Sequence, residues 1–393
     1  MKQFDFKMSF WNYVDIGAVD NKTAVSDWKE LGMNVPMTFD YDPDRHDKKV
    51  FLDQLDKCAE AGMKAIIRDA RTHWGTLTQK GESEFKRGVK AAAADFGKHP
   101  GVFGFFIGDE PNGAQMGDVI KAHKIVKAAA PALTPFVNFF AWWGEPNFYD
   151  WLGVKGPWEY ADLLDKVVKE AGIEIICADY YAQCSYEDNI YTDTYFLNLN
   201  IFQEVARRNG ITLWTCPLTA GHWNFRCPTE LDIMWQTSTA VAHGCMGLVW
   251  FYIYGRFWEG SFRNQPINIL WEKTETFTWL SRQNRIFMKH FAPLMEGLKF
   301  DAVRHAGKCF GGTKPFVEGE FELSKIEWIV NPDVPLIVSR FIAPDGGVAY
   351  GIVNNSREKP ARIRLHWKGK YAEKNAQVCH EWIGPGQLEI LRL

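Results

Sequence analysis

No sign of charge dominates this sequence, and no long apolar run interrupts it. Its 393 residues carry 45 Lys and Arg against 48 Asp and Glu, which gives a formal net charge of -3. Proteins that bind nucleic acid or anionic membranes usually show a basic surface, so this balance argues against both partners. No segment reaches the roughly 20 apolar residues that a membrane-spanning helix needs. We therefore expect neither nucleic acid nor membrane among the partners.

The first residues also lack the apolar stretch of a secretory leader. Eight cysteines are present, and Cys177, Cys216 and Cys245 stand within apolar runs that are typical of buried strands. Such cysteines are typical of reduced thiols, so we expect a cytoplasmic protein, or a secreted one whose leader has been removed. The spacing of Cys216, His222 and Cys227 matches no zinc pattern, and no metal site is predicted.

Several short motifs that would indicate other chemistries are absent too. The sequence has no G-x-G-x-x-G after its first strand, no P-loop, no H-E-x-x-H and no G-x-S-x-G, so no cofactor is implied. Aromatic residues, in contrast, make up 15% of the chain, with 17 Trp. Because a buried indole N–H needs a hydrogen-bond partner, this surplus indicates a binding surface.

One unit repeats along the chain: a helical stretch ends in Gly, and an apolar strand follows directly. "LDKCAEAG-MKAIIRDAR" and "LDKVVKEAG-IEIICADYY" are two examples. The pattern predicts a last helix at about 271–290 and eight earlier strands, at 4–10, 33–39, 63–69, 102–108, 134–141, 174–180, 211–217 and 246–253. Eight βα units predict an α/β fold, a closed (β/α)8 TIM barrel. The alternative, an open doubly wound sheet, usually has fewer strands.

The pattern changes near residue 298. "PLIVSRFIAPDGGVAYGIVNNSREKPARIRLHWKG" alternates apolar and polar residues, with turn signals at "PDGG" and "NNSREKP". The sequence therefore predicts two parts, a catalytic barrel over residues 1–297 and a small C-terminal antiparallel, β-sandwich-like domain over residues 298–393.

Barrel enzymes carry their active sites at the C-terminal ends of the strands. Here those ends offer acids, amides, cations and aromatic rings, and we take as candidates Arg68, His73, Asp109, Glu110, Asn138, Trp142, Trp143, Asp179, Tyr181, Trp223 and Trp258. Sugar rings present C–H faces to aromatic side chains and hydroxyl groups to acids, amides and Arg. The mixture indicates a carbohydrate substrate. Cleaving a glycosidic bond needs a protonated carboxyl group and a second carboxylate.

The stretch "GVFGFFIGDEPN" resembles the fourth-strand motif of the barrel glycoside hydrolases that include cellulases and β-galactosidases. In that clan the strand ends in Asn-Glu, and the Glu is the acid/base. The resemblance implies that Glu110 is the acid/base, with Asp109 in place of the Asn. It also implies a nucleophilic Glu at the end of the seventh strand, yet "ITLWTCPLTAG" contains no acid there.

The partner carboxylate must therefore come from another strand. Asp179 is the first choice, because it ends an apolar strand as abruptly as Glu110 does. The other candidates are Glu145, Glu259, Asp69 and Asp40. A carboxyl separation of about 5–5.5 Å would predict a retaining reaction, and about 6.5–9.5 Å an inverting one.

Structural roles compete with these functional ones. Glu110 could instead cap the helix that follows it, Asp179 could be held by backbone amides or an Arg, and Arg68 could pair with an Asp at the rim. Trp142 and Trp143 are adjacent, so one could face the core while the other lines the cleft.

Our hypothesis from the sequence is a glycoside hydrolase with Glu110 as acid/base and Asp179 as partner. Stacking walls would come from Trp142, Trp143, Tyr181, Trp223 and Trp258. The alternatives are a non-catalytic carbohydrate-binding barrel, which the missing seventh-strand acid motivates, and a sugar-acid lyase or isomerase. The sugar, the linkage and the oligomeric state stay open.

Overall fold

The computed structural model describes residues 6–18, 23–185, 190–255, 261–374 and 382–393. Its strands, in chain order, are β1 (Lys7–Phe10), β2 (Ala65–Ile67), β3 (Val102–Asp109), β4 (Phe136–Asn138), β5 (Ile175–Asp179), β6 (Thr212–Cys216), β7 (Cys245–Trp250), β8 (Lys299–Ala306), β9 (Leu323–Val330), β10 (Leu336–Ile342), β11 (Val348–Asn354), β12 (Ala361–Trp367), β13 (Trp382–Ile383) and β14 (Leu388–Arg392).

Helices alternate with the first seven strands, and a last short helix lies between β12 and β13. They are α1 (Ala24–Glu30), α2 (Lys48–Glu60), α3 (Trp74–Lys80), α4 (Glu82–Phe96), α5 (Met116–Ala129), α6 (Pro146–Leu152), α7 (Pro157–Ala171), α8 (Ile190–Asn209), α9 (Glu230–Ala242), α10 (Glu275–His290), α11 (Ala292–Met295) and α12 (Lys370–Lys374). None of the helices in the described ranges is long and apolar enough to cross a membrane.

The parallel strands close into a ring of eight. β1 pairs with β7, β7 with β6 and β6 with β5, while β2 pairs with β3 and β3 with β4. Residues 35–41 occupy the position of the second barrel strand: Val35 N–H donates to the carbonyl of Met8, and Met37 bridges to Ile66. A bridge between Phe139 and Ala178 joins β4 to β5 and completes the ring. The predicted TIM barrel is confirmed.

The second barrel strand differs from the prediction made from the sequence. Within the strand predicted at 33–39 there is only an isolated bridge at Met37, and two more bridges follow at Asp40 and Tyr41. Pro36 has no N–H to donate, so the hydrogen-bond ladder cannot run unbroken through this segment.

The C-terminal strands form two antiparallel sheets, in the order β14-β11-β10-β8 and β13-β12-β9. Alternate residues of β11 enter different cores: Tyr350 and Ile352 join the core between the two sheets, whereas Ala349 and Val353 join the core of the barrel. This follows from the period of two in a strand. The small antiparallel β domain is thus present, while the division at residues 297 and 298 stays a proposal.

Candidate active site

Asp109 and Glu110 lie at the end of β3, where an unusual backbone presents them. Gly108 has φ 147°, and Glu110 has φ 41°. Successive residues of a regular strand point to opposite faces. The left-handed φ of Glu110 ends that alternation, and the carboxyl groups of both residues lie close enough to Asp179 for its charge to raise their pKa values. Backbone strain of this kind is common at functional sites.

The competing structural role for Glu110 goes to another residue. Asn112 caps the short 3-10 helix Gly113–Gln115: its side chain accepts from the N–H of Gln115, and the Gln115 side chain accepts from the N–H of Asn112. Glu110 is therefore left to face the barrel mouth. It is partly buried there, as are Asp109 and Asp179.

Asp179 ends β5 and lies at the centre of a hydrogen-bonded group. Asn138 donates to Oδ1 of Asp179 at 2.9 Å and to Oδ1 of Asp109 at 3.1 Å. The carboxyl group of Glu110 and the hydroxyl group of Tyr181 also hydrogen bond to Asp179. The carboxyl cluster, by which we mean Asp109, Glu110 and Asp179, therefore spans the ends of β3 and β5 across β4.

The cluster holds protons that isolated carboxyl groups would lose. Burial, followed by the charges of Asp179 and Asp109, raises the pKa of Glu110 to about 10. Burial and the charge of Asp179 raise the pKa of Asp109 to about 7. Burial also raises the pKa of Asp179, but hydrogen bonds from Asn138, Tyr181 and Glu110 oppose this effect. Glu110 is thus the proton donor of the cluster, and Asp179 is the group best supplied with donors.

The other carboxylates considered as partners for Glu110 lie elsewhere. Asp69 is buried and held by Arg71, with Nη2 to Oδ2 at 2.7 Å. Asp40 pairs with Arg68. Glu145 is exposed at the start of α6, and Glu259 falls outside the described residues.

A polar cleft of about 520 Å³ opens on the side of the mouth that follows β1 and β2. Arg68 and His73, both predicted site residues, line it together with Tyr13 and Phe106. The Arg68 guanidinium lies 4.7 Å from the Phe106 ring centre, and its charge acts on Asp109. His73 also accepts from the N–H of Gly75 and caps α3, and burial and the charge of Arg68 lower its pKa to about 4.

Aromatic rings line the opposite side, after β4 and β6. Trp143 is partly buried and lies 4.8 Å from Tyr180 and 6.4 Å from Phe225, measured between ring centres. Trp223 is 70% exposed, adopts φ 47° and lies 6.4 Å from Phe225. A largely exposed indole beside a ring cluster is a ready stacking surface.

Three of the predicted binding residues are buried and do not line the wall of the site. Trp142 is 3% exposed and stacks on Tyr149 at 5.1 Å, so it belongs to the core, while its neighbour Trp143 faces the mouth. Tyr181 and Asn138 are buried as well, and their polar groups bond to the carboxyl cluster. Trp258 lies outside the described residues.

Sequence reasoning missed three residues of the site. Tyr13 lies in the cleft near the cluster, Phe225 joins the aromatic side, and the Cys216 thiol donates to Asn138 Oδ1 at 3.7 Å. Cys216 was predicted to be buried, and it is, but an apolar strand pattern says nothing of a thiol's contacts. Among the described residues, no group of three or more His, Cys, Asp or Glu side chains is arranged to hold a metal ion.

Solved structures that share this architecture are glycosidases. The β-galactosidase of Rahnella sp. R3 superimposes with a TM-score of 0.55 and 12% identity, covering 77% of this chain and 58% of that one. The β-galactosidase of Marinomonas ef1 gives 0.54 and 10%, over 72% and 59%. A putative α-L-fucosidase of Bacteroides thetaiotaomicron gives 0.52 and 10%, over 72% and 94%.

The chain has the fold of the barrel glycoside hydrolases. At these identities the likeness shows the glycosidase fold and not the activity. The chain spans less than two thirds of the length of the two β-galactosidases. No known protein family and no curated protein matches it by sequence.

Proposed function

We propose that the protein is a glycoside hydrolase that cleaves an oligo- or polysaccharide, with Glu110 as general acid/base and Asp179 as nucleophile. The observation that carries the proposal is the contact between these two carboxyl groups. It joins a proton donor at the end of β3 to a carboxyl group at the end of β5 that accepts hydrogen bonds from Asn138 and Tyr181, which is the kind of pair that glycosidic cleavage requires.

The acid step follows from the electrostatics of Glu110. Its raised pKa, caused first by burial and then by Asp179 and Asp109, keeps it protonated at neutral pH. It can then donate that proton to the leaving oxygen as the glycosidic bond breaks. An oxygen of Asp179 forms the new bond to the anomeric carbon.

The second step uses the same two groups. Once Asp179 is esterified its negative charge is gone, and with it the second-largest cause of the high pKa of Glu110. Glu110 can then accept a proton from the water that attacks the glycosyl ester. Carboxyl groups that hydrogen bond to each other stand closer than the roughly 6.5–9.5 Å at which an inverting enzyme holds a water between them, so we propose a retaining reaction.

The two sides of the mouth would bind the sugar. On the polar side, Arg68, His73 and Asp109 offer hydrogen-bonding groups to hydroxyls. On the aromatic side, Trp143 and Trp223 offer faces to the C–H surfaces of a ring. Trp258 stays a proposed member of this wall.

The test is Glu110→Gln assayed on a panel of aryl glycosides and oligosaccharides. We expect it to fold and to lose about 10²–10⁴-fold in kcat, because a positioned general acid contributes that much. Glu145→Gln, an exposed acid on the same rim, is the matched control and should keep wild-type rates. A Glu110→Gln variant that turns over like wild type would refute the assignment.

A second function is favoured by one observation: Cys216, a buried thiol, ends the strand that carries the nucleophile in the clan that the sequence resembles. A carbohydrate-binding barrel without catalysis would show saturable sugar binding by calorimetry and no hydrolysis across the panel. An unsaturated product detected by ultraviolet absorbance would instead indicate a lyase.

A further inference from the structure

We infer that Asn138 is a positioning residue, which bridges Asp109 and Asp179 with its amide group, and that the thiol of Cys216 fixes the direction of that amide. The catalytic consequence rests on the proposed function, whereas the geometric claim does not. The sequence alone marked Asn138 as a substrate ligand.

The contacts of Asn138 leave no amide hydrogen for a substrate. Its side chain is 2% exposed, and its amide nitrogen donates to Asp179 Oδ1 at 2.9 Å and Asp109 Oδ1 at 3.1 Å. An amide nitrogen has two hydrogens, so both are used. Its oxygen faces the sulfur of Cys216 at 3.7 Å.

The barrel register produces this arrangement. Asp109 lies opposite Asn138 across β3 and β4, and Asp179 lies opposite Cys216 across β5 and β6. The four residues therefore end four successive strands. The strand-end positions of a parallel barrel are rigid, which suits groups that must hold a fixed geometry.

The Cys216 thiol is suited to act as a donor. Burial, followed by the neighbouring Cys177, raises its pKa well above the ordinary value, so it keeps its hydrogen. The two sulfurs lie 3.6 Å apart. Because the thiol donates to the amide oxygen, the amide nitrogen is turned towards the carboxyl groups. If the amide were reversed, its oxygen would face two acids and repel them.

This bridge favours the charged form of Asp179. Burial raises the pKa of Asp179, and the hydrogen bond from Asn138 is the largest effect in the opposite direction. Other titratable or charged groups surround Asp179. The groups that change a pKa within the carboxyl cluster, or whose own pKa the cluster changes, are Tyr13, Arg68, Asp109, Glu110, Tyr160, Tyr181 and Cys216.

Kinetics test the catalytic consequence. Asn138→Leu should lower kcat by about 10- to 100-fold, since hydrogen bonds to charged groups are worth that much, and leave KM nearly unchanged. The acid limb of the kcat profile should move to higher pH. A raised KM with kcat intact would make Asn138 a substrate ligand and overturn the inference.

Cys216 gives a second test that does not depend on the folding of Asn138→Leu. Cys216→Ser keeps an O–H that can donate to the amide, and Cys216→Ala does not. We expect the alanine variant to lose clearly more kcat than the serine variant. Equal rates in the two would contradict the role of the thiol.

A direct titration separates this inference from the proposed function. The carboxyl carbons of ¹³C-labelled aspartate are followed by NMR, with Asp179→Asn identifying the signal. We expect a higher pKa for Asp179 in Asn138→Leu than in wild type. The control is Asn209→Leu at the end of α8, far from the mouth. It removes a comparable hydrogen bond to Asp165 of α7 (2.7 Å) and should leave the pKa of Asp179 unaffected.

The outcomes are distinct. A protein that hydrolyses no glycoside but shows the shift in the Asp179 titration refutes the proposed function and supports the positioning role. An unchanged titration of Asp179 in Asn138→Leu refutes the positioning role, whatever the activity.

Discussion

Two aspartates of this chain, one buried and one partly buried, show how partners decide what a carboxyl group can do. Burial raises the pKa of Asp232, but Arg226, at 2.6 Å, more than compensates and brings it to about 2. Asp109 is partly buried, and this burial also raises its pKa. No cation bonds to Asp109 among the described residues, and its pKa is about 7. Desolvation is thus common to both, and the paired charge makes the difference.

The contrast between Asp232 and Asp109 shows how far the sequence predicts the role of a single residue. The strand-end rule predicted both Glu110 and Asp179, and they are in contact. It also offered Asp69 and Asp40, which lie at equally good strand ends but are paired with Arg71 and Arg68. Which acid receives a cation depends on side chains from other strands, and spacing along the chain does not contain that information.

Asp109→Asn tests the electrostatics of Glu110. The charge of Asp109 raises the pKa of Glu110, so its removal should lower that pKa. Because the acid form of Glu110 is the active one, the basic limb of the kcat/KM profile should move to lower pH. The control is Asp118→Asn, a change in α5 away from the carboxyl cluster, with an unaltered profile. A basic limb that stays in place or moves upward would show that Asp109 does not act on Glu110.

At the scale of elements, the Gly-terminated helices and apolar runs predicted seven of the eight barrel strands to within a few residues, whereas the predicted strand at 33–39 forms only isolated bridges. The alternation of apolar and polar residues predicted the β domain. It did not predict that the two faces of β11 would enter separate cores. Nor did it predict that α9 would be buried nearly all round, with polar residues such as Gln236 inside. Both depend on how the two parts pack together, which no local pattern encodes.

The contact of α3 with β3 is an element-scale feature that supports the site. A Cβ atom at Gly108 would lie 2.0 Å from Cδ1 of Trp74, and the φ of Gly108 is 147°. Gly108→Ala should therefore cost about 3 kcal/mol of unfolding free energy or more, by strain and overpacking.

Urea denaturation measures this cost. Gly117→Ala is the matched control, because a Cβ there meets nothing within 4 Å inside α5. It should stabilise the protein by about 0.5–1 kcal/mol. Gly108→Ala with wild-type stability would mean that Trp74 does not pack against the strand that carries the acids.

At the scale of the whole molecule, the barrel and the β domain are joined by buried polar and aromatic groups. Trp235 of α9 donates to Asn355 at 3.0 Å, and Arg357 lies 4.5 Å from the ring centre of Trp235. His243, which follows α9, and His305, in β8, are both buried, with ring centres 5.7 Å apart.

This histidine pair predicts acid sensitivity. Burial lowers the pKa of His243 to about 4, and burial together with His243 lowers that of His305 to about 2. In the unfolded chain both histidines titrate near 6.5. The part of the unfolding free energy that depends on their staying neutral is therefore present above that pH and is lost as the pH falls towards 4. His305→Phe should show a smaller loss in melting temperature between pH 6.5 and 4.

His290→Gln serves as the control, because His290 is exposed at the end of α10. It should follow the wild-type dependence on pH. If the melting temperature of His305→Phe fell with pH as steeply as that of wild type, the buried histidine pair between the two parts would not be the cause of the acid sensitivity.

The central claim is that Glu110 and Asp179 act together on a glycosidic bond. Its most direct test is to trap the glycosyl enzyme with the 2-deoxy-2-fluoro form of the aryl glycoside that the panel identifies, and to locate the added mass by peptide mass spectrometry. The account predicts a single adduct on the peptide that contains Asp179. An adduct on another carboxylate, or turnover to the inverted anomer with no adduct, would contradict it.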